Sequence, residues 1–341
     1  MTERSVVEGK RRLYDRTSGD VADHAGVGAQ HRVRRVHGAW PLGCREGGLA
    51  RERGRFGRNL AIPAVIVLVV LLVIPSVLTV DYSFRGNTYS GSGVGRYVGL
   101  SNYSALVHSS IFWQSLEVTV IFAVSFVLLS TLLGLAMALL MNLPFRGRRI
   151  TRSLLVIPWA CPWVIIGIIW NRFASGTSFG GLDELLGWFH LANSGSTPLS
   201  NPHLALIMTV IAASWRQSCF AAMLILAGLQ GRPPQLLEAA AIDGAGPWKR
   251  FLNVTLPWLR LVLVTVTVLN VIYGFLQFDI IYTLTNGGPG AATQMLSILM
   301  YNTMFSNNEV GTGSAVAVVL GLVTLLAGIV TVRLLYRRQE A

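Results

Sequence analysis

The sequence predicts an all-α membrane protein with six transmembrane helices. The chain of 341 residues is 52% hydrophobic and only 13% charged, and its mean hydropathy is +0.53. Soluble domains usually carry about 25% charged residues. Six apolar segments are each close to the roughly 20 residues that a helix needs to cross a bilayer. The predicted spans are 60–83, 116–141, 153–173, 204–229, 258–283 and 313–335.

The positive charges predict how these spans are oriented. Thirteen Lys and Arg lie in residues 1–58, four in loop 142–152, three in loop 230–257 and three after residue 332, which together make 23 of the chain's 28. The loops on the opposite side hold two. Because Lys and Arg collect in cytoplasmic loops, we expect both termini to lie on the cytoplasmic side of a bacterial plasma membrane. This distribution also explains the net charge of +12, so nucleic acid is not an expected partner.

The composition divides the chain in two. Residues 1–58 contain many glycines, thirteen basic and seven acidic residues, and no long apolar segment. We therefore expect a disordered cytoplasmic tail there, followed by a six-helix membrane domain at 59–341. The three cysteines are isolated and lack metal-binding spacing, so no metal site or disulfide is expected.

Loop 230–257 is unusual for a connection between two spans. Pro233 and Pro234 favour entry into a helix, and Gln235–Ile242 is rich in helix-forming residues. Gly244 suits the left-handed conformation that ends many helices, and a second short helix is predicted at Trp248–Val254. From these residues alone, an ordinary pair of interfacial helices remains an alternative.

The same loop resembles the EAA motif of binding-protein-dependent ABC importer permeases. The family pattern EAAxxDGAxxxxxFxxxxLP is matched at every fixed position. The resemblance implies the type I ABC importer permease fold, in which this loop is the cytoplasmic coupling helix that docks on an ATP-binding subunit. The coupling residues would be Glu238, Ala239, Ala240, Asp243, Gly244 and Ala245, with Phe251, Leu256 and Pro257 completing the pattern.

A second stretch, 275–290, is similar to the FDxIYxLTxGGPxxxT pattern of carbohydrate-uptake permeases, in the branch of the maltose-type first permease subunit. Residues 99–103 resemble the GLxNY stretch of that branch, and Trp215-Arg216 its W[KR] pair. The transmembrane type-1 core would be about 112–335. The resemblance implies import of a di- or oligosaccharide. Permeases for glycerol-3-phosphate or related polyols share these motifs and are the alternative.

The resemblance also implies the partners. A second permease subunit, two ATP-binding subunits and an extracytoplasmic solute-binding protein would complete the importer. The chain has no GxxxxGK[ST] sequence, so we expect it to be a transport subunit without catalytic residues or a bound cofactor. ATP and Mg would belong to the partner ATPase.

Ionisable residues inside spans are costly and point to function. Arg216 lies about 18 Å into the fourth span at 1.5 Å per residue, and Asp279 lies near the outer end of the fifth. We interpret both as substrate-path residues. A structural ion pair or an interhelical hydrogen bond is the alternative for each.

Other polar and aromatic side chains are candidates for the same path. Asn270, Tyr273 and Gln277 are predicted to share one face of the fifth span. Their polar groups suit sugar hydroxyls, but such a stripe also suits contact with a neighbouring helix. In the third span Pro158 and Pro162 predict a kink, and the adjacent Trp159 has a ring that can stack on a sugar.

Two other classes fit the sequence less well. A secondary transporter driven by an ion gradient would not need the EAA loop and often contains inverted repeats, which are not evident here. A membrane-embedded enzyme would need a cluster of catalytic side chains, and the spans contain no paired His, acidic cluster or nucleophile motif.

Overall fold

The computed structural model describes residues 62–87, 95–175 and 198–337. The chain divides into two compact units, Met1–Ala64 and Val65–Ala341, and the account below concerns the second. The predicted tail lies outside the described residues. The helices are α1 Ile62–Ser83, α2 Ser101–His108, α3 Ser110–Asn142, α4 Arg148–Ala160, α5 Trp163–Ala174, α6 Pro202–Gln230, α7 Gln235–Ile242, α8 Pro247–Phe275, α9 Asp279–Leu284, α10 Leu296–Tyr301 and α11 Val310–Arg337.

The fold class is confirmed over these residues. Five helices are long and apolar enough to cross a membrane, namely α1, α3, α6, α8 and α11, and the bent pair α4 and α5 makes six if it is counted as one span. The only β-structure in the described ranges is an isolated bridge between Arg85 and Tyr97.

The fifth span differs from its predicted bounds of 258–283. α8 begins at Pro247, because the predicted second loop helix joins the span through a π-helical turn at Phe251–Thr255. It ends at Phe275, and α9 is a separate short helix. The prediction followed apolar composition, which runs on past the break between Leu276 and Phe278 and cannot detect it.

The third span is broken, as its prolines predicted. α4 ends at Ala160 and α5 begins at Trp163, with a bend of 93° between them. Pro162 has no N–H to continue the α4 hydrogen-bond ladder, and it adopts an extended conformation (φ −57°, ψ 145°) before α5. The break is therefore encoded locally.

Close approach of small residues holds the central helices together. α3 packs along α6, and a Cβ built on Gly134 would lie 2.6 Å from the Ala221 Cβ of α6. On α8, a Cβ at Gly274 would lie 3.3 Å from the Ala123 Cα of α3. Small residues let membrane helices approach until their backbones pack directly. α6 is consequently the most buried span, whereas the tested window of α1 is 0% buried.

The C-terminal end of α1 is fastened by the GLxNY stretch. The Asn102 side-chain amide donates to the backbone oxygens of Ser83 at 2.8 Å and Arg85 at 2.7 Å. The Tyr103 hydroxyl lies 2.7 Å from the Ser83 hydroxyl. The two Asn102 bonds satisfy carbonyls at and just beyond the end of α1 that have no helical partner.

Gly134→Ala is expected to destabilise the protein by about 1–3 kcal/mol, because the added methyl overpacks the contact between α3 and α6. Gly328→Ala on α11 is the matched control, since nothing lies within 4 Å of a Cβ built there. Thermal unfolding of the purified protein in detergent measures both. Equal melting temperatures for the two variants would contradict the close-packed contact.

Candidate functional site

The loop between α6 and α8 presents a short helix with no buried residue, α7. Pro234 precedes its first turn, and Gly244 ends it in the left-handed conformation with φ +75°. The Gly244 N–H donates to the Ala241 oxygen at 3.1 Å, and the Ala245 N–H donates to the Ala240 oxygen at 2.9 Å. These two bonds form a Schellman motif, so the glycine of the EAA pattern sets the turn.

The exposed surface of this loop is both apolar and acidic. Ile242 is 86% exposed and Trp248 is 69% exposed. Glu238 and Asp243 are exposed beside them and form no ion pair within the described residues. Large apolar side chains this exposed, next to free carboxylates, are typical of a surface that a partner protein covers.

Three hydrogen bonds fix the loop to the ends of the spans. Arg250 Nε donates to the Ala245 oxygen at 2.6 Å, which joins the turn to the start of α8. Arg232 Nη1 donates to the Thr255 hydroxyl at 2.6 Å. Trp258 Nε1 donates to the oxygen of Gly228 near the end of α6, at 3.0 Å. The loop is therefore anchored to both helices that it connects.

Arg216 of α6 lies at the break in the third span. Its Nε donates to the Cys161 oxygen at 2.9 Å, and its Nη2 donates to the Trp159 oxygen at 2.8 Å. The guanidinium carbon lies 3.9 Å from the ring centroid of Trp163, a cation–π contact. The carbonyls at the end of α4 have lost their helical partners, and Arg216 supplies donors to two of them. The interhelical hydrogen bond foreseen as an alternative is thus present.

Asn270 belongs to a buried polar chain that joins three spans. Its side-chain oxygen accepts from Gln217 Nε2 at 2.9 Å, and its Nδ2 donates to the Thr131 hydroxyl of α3 at 3.1 Å. Asn270 is 0% exposed. Both partners were missed from the sequence, although Gln217 is a polar residue inside an apolar span and was detectable on that ground.

The three polar residues of the fifth span do not form one continuous helical face, and the alternative of contact with a neighbouring helix holds for Asn270. Asn270 is buried, Tyr273 is 44% exposed, and Gln277 is 5% exposed. Gln277 lies beyond the end of α8, so it does not follow the helical register. Its backbone oxygen accepts from the Ser297 hydroxyl at 2.6 Å. Of the three side chains, only Tyr273 is exposed.

The remaining path candidates occupy two places. Trp159 stacks on Phe220 of α6 with ring centroids 5.7 Å apart, which places it beside Arg216. Asp279 is exposed in the first turn of α9. It makes no ion pair in the part of the chain that the structure describes. The structure thus groups Arg216 with Trp159 and leaves Asp279 on a separate helix.

The TxGGPxxxT stretch folds into a tight turn between α9 and α10. Thr293 is 1% exposed, and its hydroxyl donates to the Gly288 oxygen at 2.8 Å and lies 2.7 Å from the Thr285 hydroxyl. Gly287 has φ +84°, and a Cβ there would lie 3.2 Å from Ile298. The motif is accounted for by backbone geometry and a partly buried pair of hydroxyls.

The chain belongs to the family of binding-protein-dependent transport system inner membrane components, whose model matches residues 130–340. It is an integral inner-membrane permease of the ABC importer class. The matched residues contain the broken third span, the anchored loop and the tight turn described above.

Named relatives and solved structures agree with this membership. The chain is 36% identical over 281 residues to the trehalose/maltose transport system permease protein MalF of Thermococcus litoralis, covering 81% of this chain and 92% of that protein. It is 34% identical to the sulfoquinovosyl glycerol transport system permease protein SmoG of Agrobacterium fabrum, covering 81% and 89%. It is 33% identical to the sn-glycerol-3-phosphate transport system permease protein UgpA of Rhizobium meliloti, covering 76% and 88%.

The fold also matches a chain in the crystal structure of a bacterial ABC transporter involved in the import of the acidic polysaccharide alginate. The TM-score is 0.71 at 18% identity, covering 84% of this chain and 96% of that one. This likeness confirms the type I ABC importer permease fold.

Asn270→Leu is expected to lower the stability of the protein by about 1–3 kcal/mol, because it leaves the buried Gln217 amide without its partner. The double variant Asn270→Leu with Gln217→Leu is expected to regain part of that loss, since both polar ends of the bond are then removed. Thermal unfolding in detergent provides the comparison. If the stability loss of the double variant equals the sum of the losses of the two single variants, Asn270 and Gln217 are not energetically coupled.

Proposed function

We propose that this chain is one transmembrane subunit of an ATP-driven ABC importer that carries a di- or oligosaccharide across the plasma membrane. The observation that carries the proposal is the exposed helix α7, which ends in a Schellman turn at Gly244 and is anchored to α6 and α8. An unburied helix with an apolar tip and free carboxylates suits docking into a cleft of a soluble partner. Membership of the importer family supports an ATP-binding subunit as that partner.

The complete importer would contain this chain and a second permease subunit as a heterodimer, with two ATP-binding subunits and an extracytoplasmic solute-binding protein. Hydrolysis of ATP, with its Mg²⁺, belongs to the ATP-binding subunits, and this chain binds no cofactor of its own. Both termini lie in the cytoplasm in this arrangement, because the basic loops and α7 must face the ATP-binding subunits.

The coupling contact would be made by Glu238 and Asp243 with Ile242 between them. Carboxylates on α7 pair with basic groups of the cleft, and Ile242 fills an apolar depression. Ala239, Ala240 and Ala245 are small enough to let the two backbones approach. Gly244 sets the direction of the turn.

Arg216, Trp159 and Tyr273 would line the substrate path. The Trp159 ring provides an apolar face for a sugar ring, and the Tyr273 hydroxyl provides a donor and acceptor for sugar hydroxyls. Asp279 would meet the substrate nearer the outer side. Asn270 and Gln277 are buried in this conformation, so they would reach the path only when α8 and its neighbours move during alternating access.

The names of relatives favour a sugar. Trehalose, maltose and sulfoquinovosyl glycerol in those names all contain a sugar ring. A glycerol-3-phosphate permease is also a relative, so a polyol phosphate is the alternative substrate. Stimulation of the ATPase of the complete importer by each compound distinguishes the two substrates.

The chain is expected to co-purify with a second permease and an ATP-binding subunit when it is tagged and expressed with its neighbouring genes. ATPase activity of that complex in proteoliposomes is measured with the solute-binding protein and a panel of maltose, trehalose and sn-glycerol-3-phosphate. Stimulation by a sugar supports the proposal. A chain that purifies alone and transports without ATP overturns it and indicates a secondary transporter.

Gly244→Ala is expected to reduce ATP-dependent uptake about tenfold, because a side chain at φ +75° costs roughly 1–2 kcal/mol and misdirects the turn. Gly246→Ala two residues away is the matched control, since Gly246 has φ −66° and open space around it. Uptake and membrane insertion are both measured. Equal uptake by the two variants would contradict the role of the turn.

A further inference from the structure

The cytoplasmic end of α4 is fastened to two other spans by one side chain. Arg152, in the second turn of α4, donates from Nη2 to the Met141 oxygen at 2.8 Å, near the end of α3. With its oxygen turned toward the guanidinium, the Gln230 amide accepts from Arg152 Nη1 at 2.9 Å and Nη2 at 3.2 Å. Gln230 is the last residue of α6. Arg152 therefore joins the ends of α3, α4 and α6.

The other end of α4 is also fastened to α6. Arg216 holds the Trp159 and Cys161 oxygens, and Phe220 stacks on the Trp159 ring. The contacts along α6 run from Arg216 to Gln230, about 21 Å at 1.5 Å per residue. A short helix held at both ends to one longer helix moves with it as a body.

α5, beyond the break, is fastened to a different element. Gly167 packs directly against Thr283 of α9, leaving no room for a Cβ. Asn171 Nδ2 donates to the Leu284 oxygen at 2.7 Å. Contact of α5 with α6 is made by side chains: Ile166 lies in the same apolar core as Val210 and Ala213, and Trp170 meets Trp215 edge-on with ring centroids 6.1 Å apart. The hydrogen bonds of the two halves of the third span thus go to different helices: those at the end of α4 to α6, and that of α5 to α9.

We infer that α4, tied to α6 by Arg152 and Gln230, carries the motion of α7 to the break in the third span, with these two side chains acting as positioning residues. The inference rests on the proposed function, in which α7 receives the movement of the ATPase. Only four residues separate Gln230 from α7, so displacement of α7 reaches α6 directly. Packed helices shift as bodies that slide or rotate about a few backbone positions, and here those positions are Cys161 and Pro162.

The consequence for transport is a change in the bend at the break. When α4 follows α6 and α5 stays with α9, the angle between α4 and α5 must change. Trp159 and Arg216 lie at this point, beside the proposed path. Movement at the cytoplasmic surface is thereby converted into a rearrangement next to the substrate.

Cys161 lies at the break between α4 and α5 and is partly exposed. Its rate of labelling can therefore report movement at this break. The experiment uses the complete importer in proteoliposomes, with Cys44→Ser and Cys219→Ser so that Cys161 is the only thiol of this chain. The rate of maleimide labelling is compared with and without ATP and vanadate, and ATPase activity is measured on the same preparation. No knowledge of the transported sugar is needed.

ATP with vanadate is expected to change the Cys161 labelling rate severalfold in this background. Arg152→Gln and Gln230→Ala are each expected to reduce that change about tenfold, since charge-assisted hydrogen bonds are lost, while ATPase activity persists because α7 is untouched. Arg152→Lys should retain part of the change, because an ammonium group still reaches one acceptor. Arg149→Gln is the matched control, as it removes the same charge from an exposed position one turn earlier.

An undiminished ATP-dependent change in both Arg152→Gln and Gln230→Ala would overturn the inference. Equal loss of assembly, ATPase activity and labelling change in both variants would also overturn it, since that result assigns the pair a structural role only. If the unsubstituted chain fails to assemble with an ATPase, the proposed function falls and the inference falls with it.

Discussion

The pairing of Arg216 with the backbone oxygens of Trp159 and Cys161 is the interaction on which the centre of the molecule depends. Inside a bilayer every backbone polar group needs a partner from the protein. Pro162 removes a hydrogen bond from the third span and leaves carbonyls exposed at the break. A guanidinium from α6 satisfies two of them and rests on the Trp163 ring, so a 93° bend is tolerated within the span.

The same pairing explains why a charged residue is retained deep in an apolar helix. A cation within an apolar span is costly unless it is well hydrogen-bonded, and here the carbonyl dipoles at the end of α4 supply the compensation for the partly buried Arg216. Arg216 therefore stabilises the backbone at the break in the third span, which it contacts from α6. Its neighbours Trp159 and Phe220 expose aromatic surface at the point where the chain is most irregular, and irregular backbone within membrane spans occurs where it is buried in protein or lines a cavity.

The α6 helix connects the break in the third span with the exposed loop that carries α7. It is the most buried span, packs closely on α3 through Gly134 and Ala221, and leads into the exposed helix α7. Trp258 and Arg232 anchor the loop at the membrane surface, and Arg152 ties α4 to its last residue. A buried central helix with an exposed helix at one end and a broken span fastened to its side suits the proposed transmission of movement.

The sequence by itself determined the number and approximate place of the spans, the kink at Pro158 and Pro162, and the turn at Gly244. These features depend on composition, on the missing proline N–H and on the conformational freedom of one glycine, all of which are local. Only the tertiary structure decided which polar residues are buried and where α8 ends. Asn270 is polar and lies on the predicted face, yet its side-chain amide is hydrogen-bonded to Gln217 and Thr131. Side-chain partners from distant helices fix such outcomes, and no local pattern contains them.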